Sequence, residues 1–378
     1  VTVAVDDGSG TDTTGSLAFE DLVATDPAGP YERDEDDIIL TYTGGTTGMP
    51  KGVMWPHRAY IFACAGGAGY FNPLGPLDRP EGIAERAAQG YPLKMFPLAP
   101  LMHAAAVWAT WSGLLNGLSI VLDEARSYDP VALLDKIEKL GVNIVQIVGD
   151  AMAIPIRDAL NANPGRWNLS GLVNFGSGGA VFSAHVKEDI RRHLPETCNI
   201  SDGMGSSETG ISGQAAASQD GVMRLPANDV QQIIVDQRLG EVGETGLIAR
   251  CGHTPVGYFG DPVKTAETFR RVDGKLWAVS GDAGRLDADG MITMFGRGST
   301  CINTGGEKVF PEEVEGVLAT LAGIDRVAVL SRPDPLRGAV LVAVALLVAQ
   351  PRLSRMAAER AAHPHARAHP GGEIGRAS

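Results

Sequence analysis

Short β-branched runs alternate with helix-spaced segments between residues 119 and 201, and this alternation restricts the fold more than any other feature of the 378 residues. Residues 119–123 read as a strand. Residues 129–140 read as a helix, with Asp129 as its N-cap and Pro130 as its first helical residue. Strands are predicted at 143–148, 172–175 and 198–201, with helices at 151–162 and in the second half of 176–195. Strands separated by helices pair in parallel, because each crossover returns the chain in the same direction. The expectation is an α/β fold with a large N-terminal domain of parallel sheets flanked by helices. From about Val230 the texture changes to strands and tight turns, with Asp289-Gly290 a hairpin signal. A helix in 310–321 with apolar runs at 325–331 and 338–348 predicts a small α+β unit. The longest apolar run, 339–349, is too short to span a bilayer and reads as a buried strand.

Residues 41–53, "TYTGGTTGMPKGV", follow a run with the composition of a buried strand, 37–42. Glycines let backbone N–H groups approach an anion, threonines add donors, and Lys51 neutralises charge. That is the chemistry of a phosphate cradle, although a Gly/Thr-rich loop also occurs as a plain connection. The G-x-x-x-x-G-K-[ST] pattern is absent, which counts against a P-loop NTPase.

Composition narrows the class. A net charge of −13 with no long basic block argues against nonspecific nucleic-acid binding. Cys64, Cys198, Cys251 and Cys301 lie far apart, without C-x-x-C or metal-ligand spacing, and read as free thiols in a reducing compartment. No signal peptide or transmembrane segment is recognised, so the expected location is the cytoplasm. The segment 351–378 has five arginines, two acids and three prolines, and reads as a disordered or non-native tail.

Two further motifs carry polar chemistry. In "SDGMGSSETG", 201–210, a hydroxyl at Ser207 adjoins the carboxylate of Glu208, a pairing able to bind a phosphate and its metal; a helix N-terminus would look similar. In "AVSGDAGRLDADG", 278–290, Asp282 follows a strand and a glycine, where two acceptor oxygens could bind a ribose diol; turn chemistry would look similar too.

Taken together and in order, these motifs resemble those of the adenylate-forming enzymes: acyl-CoA and aryl-CoA synthetases, luciferases and peptide-synthetase adenylation domains. The resemblance runs from about residue 37 to 348 and includes "DGMGSSETG", "SGDAGRLDADGMITMFGR" and "NTGGEKVFPEEVE". Within the family, "GRGSTCINTGGEKVFPEEVE" looks most like bacterial fatty-acyl or sterol-side-chain acyl-CoA synthetases. The resemblance implies a two-step reaction, in which ATP and a carboxylic acid give acyl-AMP and pyrophosphate, and the thiol of coenzyme A (CoA) then takes the acyl group. It implies that Thr43, Gly44, Gly45, Thr46, Thr47 and Lys51 hold the β- and γ-phosphates. Glu208 would ligate Mg2+ and Ser207 would contact the α-phosphate, while Asp202, Gly203 and Met204 would bind the nucleotide, Met204 in place of the usual aromatic that stacks on adenine. Gly178, Gly179 and Ala180 would line the seam between adenine and acyl group, Asp282 and Arg297 would bind ribose, and His103 would gate the acid. Gly305 and Gly306 would line the thiol tunnel. The small or apolar residues Ala104, Ala105, Ala106, Trp108 and Val148 suggest an apolar acid, with pocket walls in 103–116 and 146–180.

The implied partners are small molecules, with no nucleic acid, and homodimerisation is left open. The implied domains are 1–297, a large domain lacking its N-terminal part, 298–350, the truncated start of a small mobile C-terminal domain, and the tail 351–378. The family's late C-terminal lysine has no counterpart after Lys308, so the resemblance implies weak adenylation by this chain and better use of supplied acyl-AMP. The rival reading is a degenerate relative that binds nucleotide or acyl-adenylate with little turnover.

Overall fold

The computed structural model describes residues 3–5, 10, 12, 14–26, 29, 32–43, 49–69, 75–125, 127–216, 223–297, 301–304, 307–321, 323–334 and 338–347. The chain divides into two compact units, Val1–Asp37 and Ile38–Ser378. In the first, β1 (Val3–Ala4) and β2 (Leu17–Ala18) pair in parallel and α1 (Phe19–Val23) follows.

The second unit opens with an antiparallel hairpin, β3 (Ile38–Tyr42) and β4 (Gly52–Pro56), followed by α2 (His57–Ala63). Next come α3 (Gly82–Gln89), β5 (Lys94–Pro97), α4 (Ala104–Leu115), β6 (Ser119–Ile120), α5 (Pro130–Leu140), β7 (Ile144–Ile147) and α6 (Gly149–Ala162). Then follow β8 (Asn174–Gly178), α7 (Ala184–Arg191), β9 (Asn199–Ser206) and β10 (Gly210–Ala216). Among the described residues the strands from β5 to β10 form one sheet in the order β10-β9-β8-β7-β5-β6, parallel except where β10 turns back on β9. The strand–helix alternation therefore produces the expected parallel sheet.

Local chemistry fixes the elements well. Asp129 caps α5 by accepting from Val131 N at 2.9 Å and Ala132 N at 3.1 Å, with Pro130 at the first helical position. Gly141, at φ 62°, closes the helix in the left-handed conformation that costs glycine nothing. The core beside the sheet joins Phe96, Val145, Ile147 and Phe175 to Leu134, Ile156 and Ile190 of the helices.

A second sheet is antiparallel throughout. It holds β11 (Arg224–Pro226), β12 (Gln231–Val235), β13 (Arg238–Leu239), β14 (Thr245–Cys251), β16 (Phe269–Val272), β17 (Lys275–Leu286) and β18 (Met291–Arg297). Asp289 and Gly290 form the β17–β18 turn as expected, with Gly290 at φ 78°. Between these strands, β15 (Gly257–Tyr258) instead pairs with β4, and α8 (Pro262–Thr268) follows it. The last described elements are the hairpin β19 (Ile302–Thr304) and β20 (Glu307–Val309), α9 (Pro311–Ala319), and the pair β21 (Ile324–Asp334) and β22 (Gly338–Leu347).

Three expectations need correction. The strand at 119–123 shortens to two residues. β9 does not stop at Ser201 but runs to Ser206, so Asp202, Gly203 and Met204 lie within a strand. The apolar runs at 37–42 and 339–349 do form strands, but neither is a buried one. Ile38, Leu40 and Tyr42 of β3 are exposed, as are Val344, Leu346 and Leu347 of β22. β3 sits at a sheet edge and β22 belongs to a two-stranded pair. The tail 351–378 lies outside the described residues.

Candidate active site

The β3–β4 hairpin presents the glycine-rich loop, and one residue pair closes the loop's base. Thr43 N donates to Lys51 O at 2.9 Å, and Lys51 N donates to Thr43 Oγ1 at 3.1 Å. The ends of the loop are therefore set by one backbone bond and one bond to the Thr43 hydroxyl. Gly44, Gly45, Thr46 and Thr47 lie outside the described residues. Lys51 Nζ has no hydrogen-bond or ion-pair partner among the described residues. A half-buried lysine with no such partner among the described residues is suited to an anionic ligand.

Ser207 and Glu208 lie in the tight turn between β9 and β10, not at a helix N-terminus. Thr209 and Ser206 lock that turn. Ser206 N donates to Thr209 Oγ1 at 3.2 Å, Thr209 N donates to Ser206 O at 3.1 Å, and the two hydroxyls lie 3.1 Å apart. Gly210 is left-handed at φ 68°, and a Cβ there would lie 2.8 Å from the Ala63 methyl and 2.9 Å from Ala63 O. Within "SSETG", then, Ser206, Thr209 and Gly210 hold the backbone while Ser207 and Glu208 stay partly accessible.

Two aromatic residues that sequence reasoning missed join these segments. Trp55, fully buried on β4, donates its indole N–H to Ser207 O at 3.0 Å. Tyr258, on β15 and opposite Val53 of β4, donates its hydroxyl to Glu208 Oε1 at 2.8 Å. Burial, and secondly the Glu208 carboxylate, push the Tyr258 hydroxyl well above the usual phenol range, so it stays protonated and donates. The strand that follows Lys51 is thus tied to the turn, directly through Trp55 and through its neighbour β15 by Tyr258. A sequence signal existed only in the wish of a buried indole or phenol for a polar partner, which does not say which partner.

The seam residues meet the same sheet. Gly178 of β8 is the register partner of Gly203 of β9, and a Cβ on Gly178 would lie 3.3 Å from Gly203 O. Gly179 follows at φ 84° and Ala180 is exposed beyond it. Asp202 is buried and bonded to Lys187 of α7. Met204 does not present the face expected of an adenine platform. It is 7% exposed and packs in the core with Leu225, Ile233 and Ile248 of the antiparallel sheet, because its side chain points between the two sheets.

Asp282 is buried on β17, with its N–H donating to Ser280 Oγ at 3.1 Å, and its backbone pairs with that of Arg297 on β18. Gly305 and Gly306 lie outside the described residues. His103 is exposed at the start of α4, where its backbone serves as N-cap, so it is not a core histidine.

An apolar cavity of about 490 Å³ lies beside α4. Ala104, Val107, Trp108 and Trp111 of α4 line it together with β3 and α2 residues such as Leu40 and Tyr60. Of the expected acid-pocket walls it takes part of 103–116 and no residue of 146–180. Lys51, Ser207 and Glu208 do not line it.

Comparison with known proteins bears on the family and the fold. Residues 2–254 match the AMP-binding enzyme family. The chain is 38% identical over 357 residues to a medium/long-chain-fatty-acid/3-oxocholest-4-en-26-oate–CoA ligase of Mycolicibacterium smegmatis, covering 90% of this chain and 64% of that protein. It is 36% identical over 360 residues to a 3-oxocholest-4-en-26-oate–CoA ligase of Rhodococcus rhodochrous, with 91% and 64% covered. The chain thus spans less than two thirds of the length of these relatives. Among solved structures, the amide bond synthetase McbA from Marinactinospora thermotolerans superposes with a TM-score of 0.70 at 21% identity, covering 94% of this chain and 68% of that one. The anthranilate CoA ligase AuaEII in complex with anthranoyl-AMP gives 0.70 at 20% identity, with 96% and 67% covered. With the family matched over residues 2–254 and the fold shared, this chain belongs to the AMP-binding enzymes.

Proposed function

We propose that this chain serves an AMP-forming acyl-CoA synthetase that activates an apolar carboxylic acid, fatty or sterol-derived, with ATP and passes it to CoA. The observation that carries this reading is the convergence of the strand after Lys51, with its neighbour β15, on Ser207 and Glu208 through Trp55 and Tyr258. Attack of the acid's carboxylate oxygen on the α-phosphate forms the acyl-phosphate bond and expels pyrophosphate. Negative charge on the phosphates grows along that path, and a positioned cation and hydroxyl are what it requires. Lys51 and Thr43 take the phosphates, together with Gly44, Gly45, Thr46 and Thr47 of the loop, and Ser207 faces the reacting phosphate. Asp282 and Arg297 take the ribose, Gly178, Gly179, Ala180, Asp202 and Gly203 line the base end, and His103 faces the acid.

The residues present fit magnesium. Mg2+ is commonly held by one or two carboxylates plus substrate phosphates. Glu208 offers one carboxylate that is oriented by Tyr258 and has no Lys or Arg partner among the described residues. Mg2+ so held would neutralise phosphate charge. The relatives named for fatty and steroid acids support the apolar acid. In the same reading residues 298–350 begin a mobile small domain whose Gly305 and Gly306 meet the CoA thiol, and 351–378 form a tail. ATP, CoA and the buried free thiols Cys64, Cys198 and Cys251 are all at home in the cytoplasm.

The test is a melting-temperature shift with MgATP, followed by a panel of carboxylic acids assayed for thioester formation from their synthetic acyl-adenylates. Protection by MgATP and preference for apolar acids are expected. Absence of any protection would overturn the nucleotide reading. Ala105→Trp and Ala106→Trp should exclude long acids before short ones, since overpacking costs about 1–3 kcal/mol. Unchanged preference in both variants would remove α4 from the acid pocket.

A further inference from the structure

The loop carrying Gly178, Gly179 and Ala180 is bordered by a buried charged cluster that none of the proposed phosphate or ribose contacts uses. Lys187 on α7 and Asp202 on β9 are 8% and 7% exposed. Lys187 Nζ donates to Asp202 Oδ2 and lies 5.2 Å from the centroid of the Phe182 ring. Asp202 Oδ1 has no hydrogen-bond partner among the described residues. The other charged group acting on Asp202 is Asp150, from α6. Asp150 is engaged with the loop itself. Its carboxylate accepts from Ser183 N at 2.9 Å and from Ser183 Oγ, and its own N–H donates to Val181 O at 2.8 Å.

Gly149 completes the attachment. Its N–H donates to Ser177 Oγ at 2.9 Å, and it approaches so closely that a Cβ would lie 2.5 Å from Val181 O. The 178–183 loop is thus fastened to α6 on one flank. On the other, the helix that follows it is fastened through Lys187 to β9, where Asp202 is the register partner of Ser177. A buried ion pair adds little net stability to a fold, because desolvation offsets the attraction. Stability alone does not account for this one.

We propose that Lys187 is a positioning residue for the nucleotide: its bond to Asp202 fastens α7 to β9 and holds the Gly178–Ala180 loop in the form that receives the base. The inference rests on the nucleotide reading given above. Its consequence is a dependence on pH that appears only when the pair is broken. Burial, aided by Asp150, pushes the Asp202 carboxyl above its ordinary range, and the Lys187 ammonium opposes both. Without the ammonium the carboxyl rises further. Above that point an unpaired carboxylate sits inside the fold; below it a proton takes the place of the lost ammonium.

The experiment measures MgATP affinity of the full chain from about pH 6 to about pH 9, as the ratio of variant to wild type. Lys187→Met should bind nearly as wild type at the acid end and about tenfold more weakly at the alkaline end. Lys187→Arg, which keeps the charge, should show a flat ratio. So should Lys187→Met combined with Asp202→Asn, whatever its absolute affinity, because the titrating group is gone. A flat ratio for Lys187→Met, or an unchanged slope in the double variant, would overturn the inference. If Lys187→Met does not fold, Lys187→Gln takes its place, and failure of both to fold would make Lys187 a folding residue and overturn the positioning role. Wild type that fails to bind MgATP would overturn the nucleotide reading instead, so the two failures are distinguishable.

Discussion

The two hairpins at the polar corner reach the same end by opposite means. The β9–β10 turn fixes its own backbone: Thr209 and Ser206 bond each other, and Gly210 packs against Ala63 with no room for a side chain. The β3–β4 hairpin fixes only the base of its loop, through Thr43 and Lys51, and leaves its lysine unpaired among the described residues. One hairpin holds two displayed side chains on a rigid turn, and the other holds the ends of a loop. The lesson is that identical-looking polar residues divide into those that shape backbone and those that await a ligand. Substitutions on the two hairpins should therefore be read out differently, one in stability and the other in binding.

The largest effect is expected at Gly210. Gly210→Ala forces a side chain into the left-handed region and against Ala63, at a cost of about 2–5 kcal/mol. A clear fall in melting temperature checks it, and an unchanged one would show that the turn is not rigid. Next, Lys51→Ala and Glu208→Ala should weaken MgATP binding by about 1.5–3 kcal/mol each through loss of charge-assisted contacts. Their melting transitions without ligand should match wild type. Collapse of either fold would move that residue to the shaping class and erase the contrast.

Thr209→Val keeps the shape but leaves Ser206 N unsatisfied, so it should cost about 1–3 kcal/mol of stability. MgATP binding by the folded fraction should change much less, and the reverse pattern would sink the division. The smallest effect belongs to Tyr258→Phe, which removes the bond to Glu208 while preserving the ring's packing on Phe269. A loss of about 0.5–1.5 kcal/mol is expected in nucleotide binding, seen with magnesium present and reduced when it is chelated. An equal loss with and without magnesium would separate Tyr258 from the proposed metal ligand.

Much of this was legible in residues that act on near neighbours. Asp129 and Pro130 announce α5, Asp289-Gly290 announces its hairpin, and the 119–201 alternation announces the parallel sheet, because caps, turns and crossovers depend on a few adjacent residues. Lys51, Ser207 and Glu208 could be singled out because their motifs are compact in sequence. What binds them together could not. Trp55 reaches Ser207 across 152 positions and Tyr258 reaches Glu208 across 50, and no periodicity encodes a pairing at such separations. Burial was likewise settled only in three dimensions. Val145 and Ile147 are covered because helices pack on their sheet, while the equally apolar β22 leaves Leu346 and Leu347 exposed in a two-stranded pair. Met204, which follows its motif like any base-contacting residue, turns into the space between two sheets. Local chemistry determined which elements form and which residues carry charge. Only the tertiary arrangement decided which faces are covered and which side chains meet, because those depend on the layers that elements distant in sequence bring together.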